Sequence, residues 1–274
     1  MQYIKVTIKN ATDEASNMLI ALLSDAGFNG FEETGGALFA YIEEAAFSLE
    51  VLSTITDGQH VDYETEIIAP QNWNALWESN FEPVIVADFC TIRAHFHDIA
   101  VSTAYDIVIT PKMSFGTGHH ATTQQMIMLM KRIDFADKSV LDFGTGTGVL
   151  AILGEMLGAT AIMAIDNDKW SVENAIENIE RNSCKHISVQ EASLEDISAT
   201  KFDVILANIN RHILLQYMAL LYSKLNLRGA ILMSGLLIED KDIIIDAASE
   251  AGFKFMEMSE LNNWIALLFE KVAK

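Results

Sequence analysis

The chain has 274 residues, half of them hydrophobic, enough to build one large domain or two. Its 18 Lys and Arg stand against 38 Asp and Glu, and a net charge of −20 argues against unaided binding to phosphate backbones. No run of ~18 apolar residues is available to cross a membrane. Residues 1–6 alternate like a strand and lack a signal-peptide core, and Cys90 and Cys184 have neither metal nor disulfide spacing. The expectation is a cytoplasmic protein whose acidity suits a cationic partner, or simply keeps it soluble.

Residues 3–9 alternate as a strand, and Met18, Leu19, Leu22 and Leu23 recur at helical spacing within 11–26. Residues 28–33 and 37–42 read as strands joined at Gly35-Gly36, a hairpin signal. A helix over 47–55 and a strand over 61–68 complete the order βαββαβ, that of a small ferredoxin-like α+β domain. Residues 1–68 hold no catalytic cluster and are expected to form a recognition module, or else a purely structural one. Pro70 then punctuates the chain, and Trp73 and Trp77, four apart, fall on one face of a short helix. Residues 69–82 are read as a linker helix and 83–274 as a second domain.

Short β-type runs over 84–110 predict flanking strands or a hairpin. Within them His95 and His97 would share a strand face, a weak metal pair with no third ligand nearby in sequence. Residues 113–123 are rich in glycine and hydroxyls and lead into an apolar helix over 124–133. Such a loop can wrap a ligand, and Thr122 or Thr123 could cap the helix. Met126, Met128 and Met130 read as core packing. His119 and His120 have the chemistry of a general base, with loop packing or a ligand-facing role as the alternative.

Beyond residue 138, strands are predicted at 139–143, 161–166, 187–190, 202–207 and 230–234. Helices fall between or after them at 148–157, 169–182, 211–225 and 239–250. This alternation means a parallel, doubly wound α/β sheet with right-handed crossovers. Residues 253–258 and 264–269 follow with only a short turn, a closing hairpin that adds an antiparallel strand.

The first of these strands ends in Asp142 and runs into Gly144-Thr145-Gly146-Thr147-Gly148 before a helix. Glycines there let backbone approach a ligand, and the helix offers free N–H groups at its first turn. A dinucleotide fingerprint would need glycine at position 149, where Val149 stands, which argues against a nicotinamide oxidoreductase. Asp166 ends the next strand, 22 residues after Gly144, placed to accept both hydroxyls of an adenosine ribose. Asn208 tips the fourth strand, where its amide oxygen can accept from an amine and orient the lone pair. Taken singly, the two acids could be strand-end residues or caps, and the asparagine a turn residue.

The glycine turn resembles motif I of the class I S-adenosylmethionine-dependent methyltransferases. With Trp73 to Pro83, the Phe115 to Thr123 loop, Asp166 and Ala207-Asn208-Ile209, the chain as a whole resembles the bacterial PrmA family. Members of that family methylate the large-subunit ribosomal protein L eleven (L11). The resemblance implies a seven-stranded catalytic sheet, a substrate-recognising amino-terminal domain and a flexible linker. It implies S-adenosylmethionine contacts at Thr123, Gly144, Asp166 and Asn208, and the glycine turn and the loop before the helix add Phe115, Thr117, Thr122, Asp142, Gly146 and Gly148 as expected contacts. It also implies methylation of lysine side chains and an α-amine; the expected enzyme is a monomer whose negative charge keeps it from binding nucleic acid directly. The loop departs from the family's usual Gly-Thr-Gly-Thr-His-Pro-Thr-Thr, with His119 and Ala121 at the threonine and proline positions. The alternatives are a class I methyltransferase acting on another protein or a small molecule, and a non-enzymatic cofactor-binding module.

Overall fold

The computed structural model describes residues 3–9, 13–34, 37–59, 61–68, 81–112, 114–197 and 200–273. The chain divides into two units, Met1–Asn80 and Phe81–Lys274. Residues 69–80, with Pro70, Trp73, Trp77 and most of the expected linker helix, lie outside the described residues, as do Gly35 and Gly36.

The first unit contains β1 (Tyr3–Lys9), α1 (Asp13–Asp25), β2 (Gly30–Thr34), β3 (Ala37–Glu43), α2 (Leu49–Gly58) and β4 (Tyr63–Ile68). Its sheet runs in the order β2-β3-β1-β4 with every neighbour antiparallel. Alternation along β1 buries Ile4, Val6 and Ile8 against Leu19 and Leu23 of α1 and Leu52 of α2. Each such side chain contributes about 1.5–3 kcal/mol on full burial. The second helix starts later than periodicity predicts, after a 3₁₀ turn at Glu44–Ala46. Ser48 sets that start, its hydroxyl oxygen accepting the Val51 amide at 3.4 Å.

The second unit opens with a small sheet of β5 (Val84–Val86), β6 (Cys90–Ala94) and β7 (Tyr105–Ile109), in that order. The first pair is antiparallel and the second parallel. Since β6 stops at Ala94, His95 and His97 sit in the turn beyond it and share no strand face. The His97 ring receives the Ala94 amide at Nδ1 (3.1 Å) and reaches the Phe81 carbonyl through Nε2 (2.6 Å).

Next come α3 (Ala121–Met130), β8 (Ser139–Phe143), α4 (Val149–Met156), β9 (Ala161–Asp166), α5 (Lys169–Arg181) and β10 (Ile187–Glu191). The chain continues through β11 (Phe202–Asn208), α6 (Arg211–Lys224), β12 (Leu225–Leu237), α7 (Lys241–Ala251), β13 (Phe253–Leu261) and β14 (Trp264–Lys271). The large sheet has the order β10-β9-β8-β11-β12-β14-β13. Neighbours from β10 to β12 are parallel, and β14 is antiparallel to both β12 and β13. The strand order reverses between β8 and β11, so their carboxyl ends flank the crevice where such sheets bind ligands.

Three local differences from the sequence pattern have visible causes. Strand β12 begins at Leu225 rather than 230, because the register with β11 shifts between Phe202 and Val204 and Arg228 takes φ 63°. The closing strands are longer than expected, since Asn262 and Asn263, at φ 52° and 66°, make a two-residue turn. Met126 and Met130 are fully buried, one helical turn apart, while Met128 between them is 39% exposed on another face.

Candidate active site

At the end of β8 the chain is pinned to β9: the Gly144 and Thr145 amides both donate to the Ile165 carbonyl, at 2.9 and 3.0 Å. The Gly146 amide donates to Asp166 Oδ2 at 2.9 Å, and the Asp168 amide to Asp166 Oδ1 at 3.0 Å. Both Asp166 oxygens keep lone pairs for a further donor. Gly148, at φ 81°, caps α4. Asp142 lies underneath the turn, 1% exposed, and its Oδ2 accepts the Thr145 hydroxyl at 2.6 Å. Burial pushes its carboxyl up to about 7, and Asp166 adds to the rise; the Thr145 hydroxyl and the Ala151 amide pull the other way.

The loop before α3 closes over this turn. The Thr147 amide donates to the Phe115 carbonyl at 2.9 Å, and the Thr147 hydroxyl to the Gly116 carbonyl at 2.8 Å. Gly146 is at φ 55°, and a Cβ there would collide with the Phe115 carbonyl oxygen. The cap of α3 is His120, not Thr122 or Thr123, which lie inside the helix. His120 Nδ1 accepts the Thr122 amide at 3.3 Å and is 2.8 Å from the Thr122 hydroxyl. Burial lowers the pKa of this imidazole. His119 turns outward, exposed, with its ring centroid 4.7 Å from that of Phe81 in an edge-on arrangement and Nδ1 3.2 Å from the Thr117 hydroxyl.

Asn208 ends β11 across the crevice from the glycine turn. Its Nδ2 is 3.5 Å from the Thr123 hydroxyl, while its Oδ1 is buried with no hydrogen-bond partner. A buried amide oxygen left unpaired is costly, and an incoming N–H would satisfy it. These segments bound a cleft of about 620 Å³. Of the residues expected from sequence, Phe115, Thr122, Gly144, Gly146, Asp166 and Asn208 line it; Thr117, Thr123, Asp142 and Gly148 do not. The rest of the lining includes Ile209, His212, Tyr217 and Trp264, and contains no Lys or Arg. Such a cleft suits a cation or a neutral amine and offers no counter-charge to a phosphate.

Sequence reasoning missed the supports. Asn174 and Asn178 on α5 and Asn182 at its C-cap stand four apart, a spacing that could have been noticed. Asn182 donates to the Val108 carbonyl and accepts its amide, at 2.7 and 2.9 Å, behaving like one more strand beside β7. Asn178 accepts the Thr110 amide at 2.7 Å and donates to the Thr147 carbonyl at 2.8 Å, tying β7 to the glycine turn. Trp264 gave no sequence signal; its ring meets His120 edge-on at 4.6 Å, and its carbonyl accepts the Gln125 amide at 2.9 Å. Among the described residues no group of three His, Cys, Asp or Glu could hold a metal. No helix among them is long and apolar enough to cross a membrane.

The strand order, the glycine turn and the acid at the tip of β9 together define a class I methyltransferase fold. The chain belongs to the ribosomal protein L11 methyltransferase (PrmA) family, whose model matches residues 6–272. A ribosomal protein L11 methyltransferase of Phocaeicola vulgatus is 37% identical over 278 residues, covering 98% of this chain and 99% of that protein. One from Porphyromonas gingivalis is 38% identical over 265 residues, covering 94% and 91%. The crystal structure of ribosomal protein L11 methylase from Lactobacillus delbrueckii subsp. bulgaricus superposes with a TM-score of 0.66 at 30% identity, covering 70% of this chain and 100% of that one. A methyltransferase from Pyrococcus furiosus shares the fold, with a TM-score of 0.52 at 19% identity over 61% of this chain and 90% of its own. The protein is an enzyme of the methyltransferase class.

Proposed function

We propose that this enzyme moves methyl groups from S-adenosylmethionine to lysine side-chain amines and the N-terminal α-amine of ribosomal protein L11. The observation that carries the reading is the unpaired, buried Oδ1 of Asn208 in a cleft free of Lys and Arg, opposite a glycine turn. The residues present fit the cofactor: a Cβ at Gly146 would fill the turn, and Asp166 is a carboxylate at the cleft with acceptor capacity left. Gly144, Gly146 and Asp166 would hold it, the acid taking the ribose hydroxyls. When bound, the sulfonium supplies an electrophilic methyl group.

The protein's part is positioning and desolvation. Asn208 Oδ1 accepts an amine N–H, which turns the nitrogen lone pair toward the transfer site. Phe115, Ile209 and Trp264 line the same cleft and exclude water, which disfavours the charged ammonium over the neutral amine. The first unit supplies substrate recognition, and its acidity suits a basic protein: Lys5 and Lys9 are its only Lys or Arg. The same acidity supports action on L11 itself rather than on RNA.

The test is mass spectrometry of purified, unmethylated L11 after incubation with enzyme and S-adenosylmethionine. Gains in steps of about 14 Da, absent without cofactor, are expected. No gain despite cofactor binding would remove L11 as substrate; no cofactor binding would remove the cofactor as well.

A further inference from the structure

A lysine ammonium, with a pKa of about 10.4, must lose a proton before it can accept a methyl group. Four ionisable side chains line the cleft: Asp166, His120, His212 and Tyr217. Asp166 accepts the Gly146 and Asp168 amides on the β9 side, and its remaining lone pairs are those assigned above to the ribose hydroxyls. His120 uses Nδ1 as the cap of α3, so its ring proton sits on Nε2 and it can only donate there. The Tyr217 hydroxyl is engaged with Glu195 at 2.7 Å. His212 differs from all three. It is the second residue of α6, four beyond Asn208, exposed at the cleft, and its imidazole has no partner among the described residues.

The charged groups on the elements packed around it are Arg211 and Lys224 on its own helix, Lys241, Asp242, Asp246 and Glu250 on α7, and Glu195 against Tyr217. Its neighbour Arg211 pairs with Asp240, just before Lys241 and Asp242 begin α7. Strands β11 and β12, which pack on α6, carry Asp203 and Arg228 toward their far ends.

Resting on the amine-methylating reading above, we propose that His212 is the proton acceptor for the substrate ammonium. The ammonium N–H bond breaks, and its proton passes to an unprotonated ring nitrogen of His212 and on to bulk water. The pair left on nitrogen forms the new N–C bond, and the pair of the broken S–C bond stays on sulfur. Asn208 orients the amine and His212 makes it neutral. An α-amine, whose pKa is about 8, needs this help less than a lysine side chain does.

The test compares wild-type enzyme with His212→Gln and His212→Ala on unmethylated L11, resolving lysine from α-amine methylation by mass spectrometry of fragments across about pH 7 to 9.5. The expected loss in kcat on lysine is about 100-fold at neutral pH, smaller on the α-amine, and narrowing as pH rises. Added imidazole should partly restore His212→Ala. Calorimetric affinity for S-adenosylmethionine should be unchanged, which separates the loss from misfolding. Wild-type rates in both variants, or an equal loss on both amines at every pH without rescue, would overturn the proposal. If the wild-type enzyme methylates no amine of L11, the functional reading fails, independently of His212.

Discussion

Strand β1 buries Ile4, Val6 and Ile8 and leaves Tyr3, Lys5, Thr7 and Lys9 at least partly open, whereas β8 buries Val140, Leu141, Asp142 and Phe143 in succession. The cause is the number of covered faces. In the first unit α1 and α2 contribute to one core, so one face of the antiparallel sheet stays wet. In the second unit successive residues of β11 enter different cores, Val204 and Leu206 one, Ile205 and Ala207 the other. A parallel sheet covered on both faces leaves only its strand ends for chemistry. The polar side chains of the candidate site therefore gather at the ends of β8, β9 and β11, while the first sheet offers a surface.

The contrast can be broken most severely at the glycine turn. Gly146→Val forces a branched side chain to a left-handed φ and into the Phe115 carbonyl. Loss of methyl transfer by roughly 1,000-fold or more is expected, with the first unit still folded by proteolysis and circular dichroism. Ile8→Ala does the converse. It empties a fully buried position of the first core and should cost about 2–5 kcal/mol in denaturant unfolding of that unit. Cofactor affinity should not change.

Asp166→Ala sharpens the comparison within the second unit. Calorimetry should show S-adenosylmethionine affinity about 100-fold weaker, roughly 2.7 kcal/mol, with the fold retained. Unchanged affinity would remove the ribose contact from Asp166. The buried acid Asp142 gives the smallest effect, read through pH. Its folded pKa, about 7, stands above the ordinary value of 3.8, so the fold favours the neutral form. The stability it contributes is full below the unfolded pKa and is lost as pH rises through about 7. Asp142→Asn should therefore gain on the wild type by roughly 2 kcal/mol between about pH 5 and 8 in thermal or denaturant melts. A flat difference across that range would show that the carboxyl is not held neutral by burial. The four-stranded sheet has no such buried acid on its described core face, so its stability should follow pH less steeply.

Much of this was legible in the chain. The orders βαββαβ and strand-helix-strand, the glycine turn and Asp166 follow from periodicity and from residues a few positions apart. Errors fell where a local signal had two outcomes. Thr122 and Thr123 look like caps, but the left-handed glycines at 116 and 118 bring His120 to that position. Residues 226–229 fall between the helix expected over 211–225 and the strand expected over 230–234, but the shifted pairing of Phe202 with Leu225 draws the run into β12.

What the sequence alone determined is the element order, the covered and uncovered faces, and the backbone turn that approaches a ligand, because each depends on neighbours along the chain. The tertiary structure decided which side chains share the cleft. Asn208 meets Thr123 across 85 positions, Gln125 holds Trp264 across 139, and Asn178 ties Thr110 to Thr147. These pairings come from strand order and helix packing, and no local pattern encodes them.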